Sequence, residues 1–387
     1  MINLLARIFI KNRKDYSNPQ VREQYGILCG GFGVFLNVML FALKYIFGTI
    51  AASVAMVADA FNNLSDAASS FIQILGFKLS SKKPDPEHPF GHGRLEYISG
   101  LIVSFLILHM GFDLITDSIG AIRNPEKMQT SIISIVIMIG AILVKLYMYL
   151  YNHSVAKKID SVSMEVTAKD SLSDMISTFV VIAAIFLEKF TTLPVDGIGG
   201  VIVGVFILKT GIEAAKDTIE PLLGTAPSKE FVSEIEEELM KHNPIIGMHD
   251  LVVHDYGPAR MMISLHAEVP GNMNIFELHD TIDNAEVDIA SRFNCQVVIH
   301  MDPIDVENQR LAELKTVVQE ITKINNELMA HDIRMVPGVT HTNLIFDVVK
   351  PFSCILTDEQ LKNLISQSIK ARCNDVNCVI TVDQPFV

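Results

Sequence analysis

Long apolar stretches fill the first part of the chain and end near residue 222, after which the sequence has the mixed composition of a soluble protein. A membrane-spanning helix needs about 20 predominantly apolar residues. Six stretches reach that length, at roughly 26–49, 52–79, 95–121, 129–151, 164–187 and 194–218. The second and the fifth are interrupted by polar residues. The pattern therefore predicts an N-terminal segment at 1–24 and six transmembrane helices within 25–222.

Lysine and arginine are concentrated in the N-terminal segment and in the connections that follow the second and fourth apolar stretches. The other connections carry few of them, with Arg123 and Lys127 in one and Lys189 in another. Positively charged connections stay on the cytoplasmic side of a membrane. We therefore expect a multi-pass protein of the plasma membrane, with the lipid bilayer as its surroundings and both termini in the cytoplasm.

The remaining sequence predicts α+β structure in the cytoplasm. A helix near 228–241 is followed by strands near 251–254 and 261–268, a helix near 275–293 and a strand near 296–300. The same order of elements follows between about residues 309 and 382, and the tripeptide at 249–251 resembles the one at 331–333. We therefore expect two tandem α+β domains, at 223–305 and 306–387.

The overall charge narrows the choice of partners. The chain has a formal net charge of −13. Binding to nucleic acid depends on neutralising phosphates with lysine and arginine, so nucleic acid is not an expected partner. The sequence also lacks the GxxxxGK[ST] phosphate loop, and we therefore expect no use of ATP.

Two pairs of polar residues lie inside apolar stretches. Asn62 and Asp66 belong to the second stretch, and Asp170 and Asp174 belong to the fifth. Each pair has the spacing i, i+4, which places both side chains on one face of a helix. Ionisable residues within a membrane are costly and usually line a pathway or face a partner. Together the two pairs supply four oxygen donors, which is enough to enclose one divalent cation.

Asp59 lies on the same helical stripe, three residues before Asn62 and seven before Asp66. The predicted orientation of the second stretch puts this carboxylate toward the extracellular side. We expect it either on a path by which a cation leaves this site or in water at the outer end of the helix.

Three motifs identify a family. They are Ala58-Asp59-Ala60 with Leu64-Ser65-Asp66, the pair Asp170 and Asp174, and the run His88-Pro89-Phe90-Gly91-His92-Gly93-Arg94-Leu95-Glu96. With these motifs, residues 25 to about 303 resemble the cation diffusion facilitator family of metal exporters. The resemblance implies a membrane α-helical domain of six spans, followed by a cytoplasmic α+β ferredoxin-like domain. The repeated order of elements adds the expectation that this domain is present in two tandem copies. It also implies a homodimer that exports divalent cations, commonly against protons, and that is not an enzyme.

The resemblance assigns the ligands of the transported metal as well. Asn62, Asp66, Asp170 and Asp174 match the family's intramembrane ligands. Relatives that transport zinc commonly have a histidine in this set, whereas all four donors here are oxygens. Oxygen donors suit Mn²⁺ and Mg²⁺, and imidazole suits Zn²⁺. Since the set resembles that of the manganese branch, Mn²⁺ is the expected substrate, with Fe²⁺ and Zn²⁺ as alternatives.

Two further groups match metal sites of relatives. One lies in the cytoplasmic connection after the second span and comprises Asp85, His88 and His92. The other lies in the first cytoplasmic domain and comprises His249, His266, His279, His300 and Asp302. A structural loop and a solvated histidine face are the respective alternatives. The second domain lacks most of these residues, with Asp347 near the place of His266, and we expect it to be structural or regulatory.

The three carboxylates of the membrane set suggest how transport is coupled. They cannot all remain ionised when crowded together in a low-dielectric environment. The empty site is therefore expected to hold protons, which a divalent cation displaces because its ligands must be deprotonated. With alternating access, this competition gives metal/proton antiport. A metal-gated channel and a membrane-anchored metal sensor are the alternatives from other classes, and one compact site favours a carrier over a channel.

Overall fold

The computed structural model describes residues 2–16, 18–50, 54–123, 132–187, 195–258, 260–323, 328–338 and 342–385. The chain divides into two compact units. One comprises Met1–Thr225 with Asp255–Arg260, and the other comprises Ala226–His254 with Met261–Val387. The first unit is built from helices, and the second contains all six strands of the described chain.

Six long helices follow a short N-terminal helix in the first unit. The helices are α1 (Ile2–Phe9), α2 (Pro19–Ile50), α3 (Val54–Ser80), α4 (Leu95–Arg123), α5 (Ile132–Ile159), α6 (Val162–Leu187) and α7 (Val195–Leu223). The expected starts of three spans, near residues 52, 129 and 194, lie outside the described residues, as do Lys127 and Lys189.

Among the described residues, four helices are long and apolar enough to cross a membrane. They are Pro19–Ile50, Leu95–Arg123, Ile132–Ile159 and Gly197–Leu223. Helices α3 and α6 have 27 and 26 residues and are comparable in length, and each carries two aspartates. The first unit is therefore a multi-pass membrane domain, and the predicted ligands of the membrane site lie on α3 and α6.

Small residues bring these helices close together. Helix α3 packs against α2 and α4, and α4 packs along α7. A Cβ atom at Gly26 would collide with the ring of Phe77, and one at Gly76 would collide with the side chain of Ser99. Helices in membranes associate through such close backbone contacts, because apolar burial alone gives little preference over lipid.

A buried ion pair joins α2 to the start of α4. The guanidinium Nη2 of Arg22 lies 3.2 Å from Oε2 of Glu96, and the two side chains are only 8% and 2% exposed. The hydroxyl of Ser161 donates to Oε1 of Glu96 at 2.5 Å, and Nη2 of Arg22 also donates to the carbonyl of Asp160. The carboxylate therefore has both a counter-charge and a neutral hydrogen-bond donor.

Replacing Arg22 by methionine is expected to destabilise the protein by about 3–5 kcal/mol, because the charge of Glu96 would remain buried without its partner. Thermal unfolding of the purified protein in detergent measures this. Lys216→Met is the matched control, because the Lys216–Glu220 pair is solvent-exposed and worth little. Equal unfolding temperatures for the two variants would contradict the structural role of the buried pair.

The second unit begins with a three-stranded sheet flanked by two helices. Its elements are α8 (Lys229–Leu239), β1 (Gly247–Asp255), β2 (Met261–Pro270), α9 (Ile275–Phe293) and β3 (Cys295–Ile304). The strand order is β1-β2-β3, and β2 and β3 are parallel. Leu265 and Ile289 are buried in its core. The parallel register places His266 beside His300 and Glu268 beside Asp302, so polar side chains from neighbouring strands lie together.

The same order of elements occurs again in the rest of the second unit. Its elements are α10 (Gln309–Lys323), β4 (Met329–Pro337), β5 (Thr342–Val349), α11 (Asp358–Arg372) and β6 (Val376–Asp383). The strand order is β4-β5-β6, with β4 antiparallel and β6 parallel to β5. A separate core forms around Leu344 and Phe346, and Thr357 begins α11 with a capping box.

Corresponding aspartates in β1 and β4 adopt the same uncommon backbone conformation. Asp250 is the fourth residue of β1 and Asp332 is the fourth residue of β4. Both have φ of 50°, in the left-handed region that few residues other than glycine occupy. The register between β4 and β5 shifts at this point, between His331 and Arg334. The bulge in β4 thus lies at one of these aspartates.

Candidate metal-binding sites

Three carboxylates from two helices converge within the membrane domain. Asp66 lies on α3, and Asp170 and Asp174 lie one turn apart on α6. Each offers an oxygen within 4.8 Å of the others. Asp66 and Asp170 are buried. Oxygen atoms at this separation can bind one divalent cation together, because all three can turn toward a common centre.

A lysine from a third helix completes this cluster. Lys145 of α5 places its Nζ atom 2.7 Å from Oδ2 of Asp66 and 2.6 Å from Oδ2 of Asp174. Its side chain is only 5% exposed. Sequence reasoning missed this residue, although a lysine in the middle of an apolar stretch was the available signal. Its ammonium group lies between two of the carboxylates and supplies one positive charge.

The two asparagines of α3 differ in burial. Asn62, the predicted fourth ligand, is exposed, whereas Asn63 is buried. The Nδ2 group of Asn63 donates to the carbonyl of Asp59 at 2.8 Å. Within the described part of the chain its Oδ1 atom accepts no hydrogen bond. One position along an α-helix turns a side chain by about 100°, which explains the difference between neighbours.

Asp59, the predicted path residue, is paired. Its Oδ2 atom lies 2.8 Å from Nζ of Lys44, a buried lysine on α2. Sequence reasoning missed Lys44 as well. The pair neutralises a carboxylate on the same helix that carries Asp66.

The loop group forms a compact set near the end of α3. Nδ1 of His88 lies 3.3 Å from Oδ1 of Asp85, and Nε2 of His92 lies 3.4 Å from Oδ2. The two rings are 4.6 Å apart. The backbone N–H of His88 donates to Asp85 and is the main cause that lowers the pKa of that carboxyl. The group thus offers two imidazoles and an ionised carboxylate.

The histidine group of the second unit forms around Asp302. Its Oδ2 atom lies 2.9 Å from Nδ1 of His266 and 3.0 Å from Nε2 of His249. Nε2 of His300 lies 3.2 Å from Oδ1 of the same carboxylate. His279 is not part of this set, because it is 69% exposed on α9 and pairs with Asp283 at 3.2 Å. Three of the four predicted histidines therefore surround one carboxylate.

His249→Gln is expected to reduce metal binding by this group by about tenfold or more, because it removes an imidazole that is almost fully buried beside Asp302. His279→Gln is the matched control and should leave binding unchanged. Equilibrium titration of the purified protein with Zn²⁺ distinguishes the two. A larger loss with the control would place the site on α9 instead.

Two family profiles match successive parts of this chain. The profile of the cation efflux transmembrane domain covers residues 32–223. The profile of the cation efflux protein cytoplasmic domain covers residues 227–304. An uncharacterized transporter of Methanocaldococcus jannaschii is 32% identical over 274 residues, which are 70% of this chain and 95% of that relative. The chain belongs to the cation efflux family.

Other relatives of this cation efflux protein carry more specific names. The manganese efflux system protein MneS of Bacillus subtilis is 26% identical over 269 residues, 69% of this chain and 92% of the relative. The cation-efflux pump FieF of Cronobacter sakazakii is 27% identical over 274 residues, 70% of this chain and 89% of the relative. These relatives are transporters and not enzymes. Residues from 305 onward lie beyond both family profiles.

Proposed function

We propose that this cation efflux protein exports divalent metal ions from the cytoplasm across the plasma membrane, with Mn²⁺ as its main substrate. The observation that carries the proposal is the convergence of Asp66, Asp170 and Asp174 within long membrane helices. Carboxylates in a membrane are costly, and three of them in one place need a cation as partner. A substrate that carries two positive charges meets this need.

The donor set supports manganese over zinc. The three converging ligands are carboxylates, which suit Mn²⁺, and no histidine is part of this group in the described chain. The relative MneS is named as a manganese efflux system protein, which supports the same choice. Fe²⁺ and Zn²⁺ are the alternatives, because other relatives are named only as cation-efflux pumps. For the fourth ligand we propose the amide oxygen of Asn62, with that of Asn63 as the alternative.

We propose a topology of six spans with both termini in the cytoplasm. Helices α3 and α6 count as spans in this proposal, because α3 packs against α2 and α4, and α6 packs against α5 and α7. The second unit then consists of two ferredoxin-like copies, since its order of elements repeats. A homodimer is proposed because the matched cytoplasmic profile is that of the family's dimerisation domain.

Lys145 gives the coupling mechanism a physical basis. Its ammonium neutralises one of the three carboxylates, so two negative charges remain to be balanced. Protons balance them when metal is absent, and an arriving divalent cation replaces both the protons and the ammonium. When the site opens to the outside, protons and Lys145 compete for the same oxygens and release the metal. Alternating access then exchanges protons for metal.

The other sites receive supporting roles in this proposal. Asp59, held by Lys44, lies on the path of metal release. The loop group of Asp85, His88 and His92 binds metal near the cytoplasmic entrance. The group around Asp302 senses or delivers cytoplasmic metal.

Flux measurements in proteoliposomes test the proposal. Purified protein is given Mn²⁺, Fe²⁺, Co²⁺, Zn²⁺ or Cd²⁺, with and without an opposing proton gradient. Saturable transport that is fastest for Mn²⁺ and accelerated by the gradient is expected. Fast, unsaturable flux that ignores the gradient would indicate a channel, and absence of flux would indicate a sensor.

Asp170→His is expected to raise the rate of Zn²⁺ transport relative to Mn²⁺ by about tenfold, since it replaces a carboxylate by an imidazole in the proposed site. The same metal panel measures the ratio. Asp217→His serves as a control, because Asp217 on α7 pairs with Lys169 outside the carboxylate cluster. An unchanged ratio in the Asp170 variant would remove the donor-type argument for manganese.

A further inference from the structure

Besides the group around Asp302, another cluster of potential metal ligands lies on the last three strands of the second unit. His331 of β4, Asp347 of β5 and Asp383 of β6 each offer a ligand atom within 4.8 Å of the others. The sheet register produces this cluster. His331 pairs directly with Asp347, and Asp383 pairs with Val349, two residues further along β5. Three neighbouring strands therefore contribute one side chain each to the same face of the sheet.

A fourth side chain reaches this group from the other sheet of the same unit. Oδ1 of Asp250 on β1 lies 3.0 Å from Nε2 of His331, and its Oδ2 lies 4.0 Å from Nδ1 of His266. The rings of His249 and His331 are 5.1 Å apart. Asp250 thus lies between the group around Asp302 and the group around His331.

The orientation of His331 indicates that its ring and the carboxylate of Asp250 face a common ligand. Its side chain is 13% exposed, and its Nε2 atom is buried without an aligned hydrogen bond among the described residues. The oxygen of Asp250 is close, but it lies off the direction in which the ring N–H would point. Two ligands that face a common cation have this arrangement, because each lone pair is directed at the metal and not at the other ligand.

Crowding of negative charge supports the same conclusion. Asp250, Asp347 and Asp383 place three carboxylates around His331, where their like charges repel one another. A bound cation would relieve this repulsion between carboxylates.

We propose that His331, Asp347 and Asp383, completed by Asp250, form a further divalent-cation site in the second unit. The site takes Mn²⁺ or a cation of similar hardness, because three of its four donors are carboxylates. The group around Asp302 has more imidazoles and suits Zn²⁺ better. Residues 331, 347 and 383 lie beyond the matched family profiles, so three of the four ligands belong to the additional C-terminal segment. A cation held there would tie β1 to β4, β5 and β6.

Counting bound Mn²⁺ in the full-length protein tests the site. The detergent-purified protein is stripped with chelator and titrated with MnCl₂, and free Mn²⁺ is followed by its electron paramagnetic resonance signal. Asp383→Asn is expected to lose one equivalent of tightly bound Mn²⁺ per chain. Asp358→Asn is the matched control, because that carboxylate is 61% exposed on α11 and pairs with Lys350. Equal numbers of bound Mn²⁺ in the wild type and in Asp383→Asn would overturn the proposal.

A spectroscopic signature distinguishes a ligand from a structural residue. Mn²⁺ bound at this site should show electron spin echo modulation from one imidazole nitrogen, and His331→Gln should remove that modulation. His331→Gln also decides the question if Asp383→Asn fails to fold. Loss of bound Mn²⁺ without any nitrogen modulation in the wild-type site would contradict the assigned donor set.

The test is independent of transport. Asp174→Asn disables the proposed membrane site but should leave the equivalent at His331 in place. Conversely, Asp383→Asn should leave the Mn²⁺ bound in the membrane unchanged. A negative result for the site at His331 therefore leaves the proposed membrane transport site untouched, and the reverse also holds.

Discussion

Replacing Asp174 by asparagine is expected to lower metal transport by about 100-fold or more while leaving the protein folded. The variant keeps the size of the side chain and removes the charge that faces Asp66, Asp170 and Lys145. A divalent cation would then meet two carboxylates and a competing ammonium, so the net attraction at the site falls from two negative charges to one. A loss of about 2.7 kcal/mol in binding corresponds to the expected 100-fold decrease.

Flux in proteoliposomes measures this effect, and size-exclusion chromatography confirms that the variant is folded. Asp217→Asn on α7 is the control, because that carboxylate forms an accessible pair with Lys169. Export by Asp174→Asn at the wild-type rate would show that α6 does not carry the transport site.

Lys145→Met is expected to lower the KM for Mn²⁺ by about tenfold or more and to lower kcat as well. Each hydrogen bond between a charged donor and a carboxylate is worth about 1.5–3 kcal/mol, and the metal must displace two of them. Without the ammonium the metal binds more tightly, since its competitor is gone. Release becomes slower for the same reason, because no internal cation replaces the departing metal.

Initial transport rates measured over a range of Mn²⁺ concentrations give KM and kcat separately. Lys209→Met is the matched control, since Lys209 on α7 is exposed and pairs only loosely with Glu213. If the KM of Lys145→Met rises instead, Lys145 stabilises the metal-bound site and does not compete with the metal.

The spacing of polar residues in the sequence predicted the aspartates of the membrane cluster. It did not predict Lys145, whose position depends on how the helices pack. Asp170 and Asp174 follow from the i, i+4 rule, which depends only on one helix. Lys145 could not be placed beside them, because the sequence does not tell which face of α5 contacts α3 and α6. A single lysine within an apolar stretch could therefore not be assigned to the site from the sequence. For the same reason the sequence did not predict that Lys44 of α2 pairs with Asp59 of α3.

The i, i+4 spacing alone did not predict which of two neighbouring asparagines is buried. The sequence favoured Asn62 because it lies four residues before Asp66, but its neighbour Asn63 is buried and Asn62 is exposed. In the C-terminal segment, Asp347 was interpreted as the loss of a histidine ligand. A second set of donors became visible only when β5 was aligned with β4 and β6, because Asp383 is far from His331 in sequence.

The left-handed backbone conformation of Asp250 and Asp332 lowers the stability of the fold, whereas the carboxylate of Asp250 is needed for the proposed cation site. A residue other than glycine in this conformation costs about 1 kcal/mol or more. Selection for heat resistance alone would therefore favour glycine at both positions. At position 250 it would remove the carboxylate that lies between the group around Asp302 and the group around His331. Consensus design or directed evolution of a more robust variant should hold Asp250 fixed, because the gain in stability there comes at the expense of a ligand.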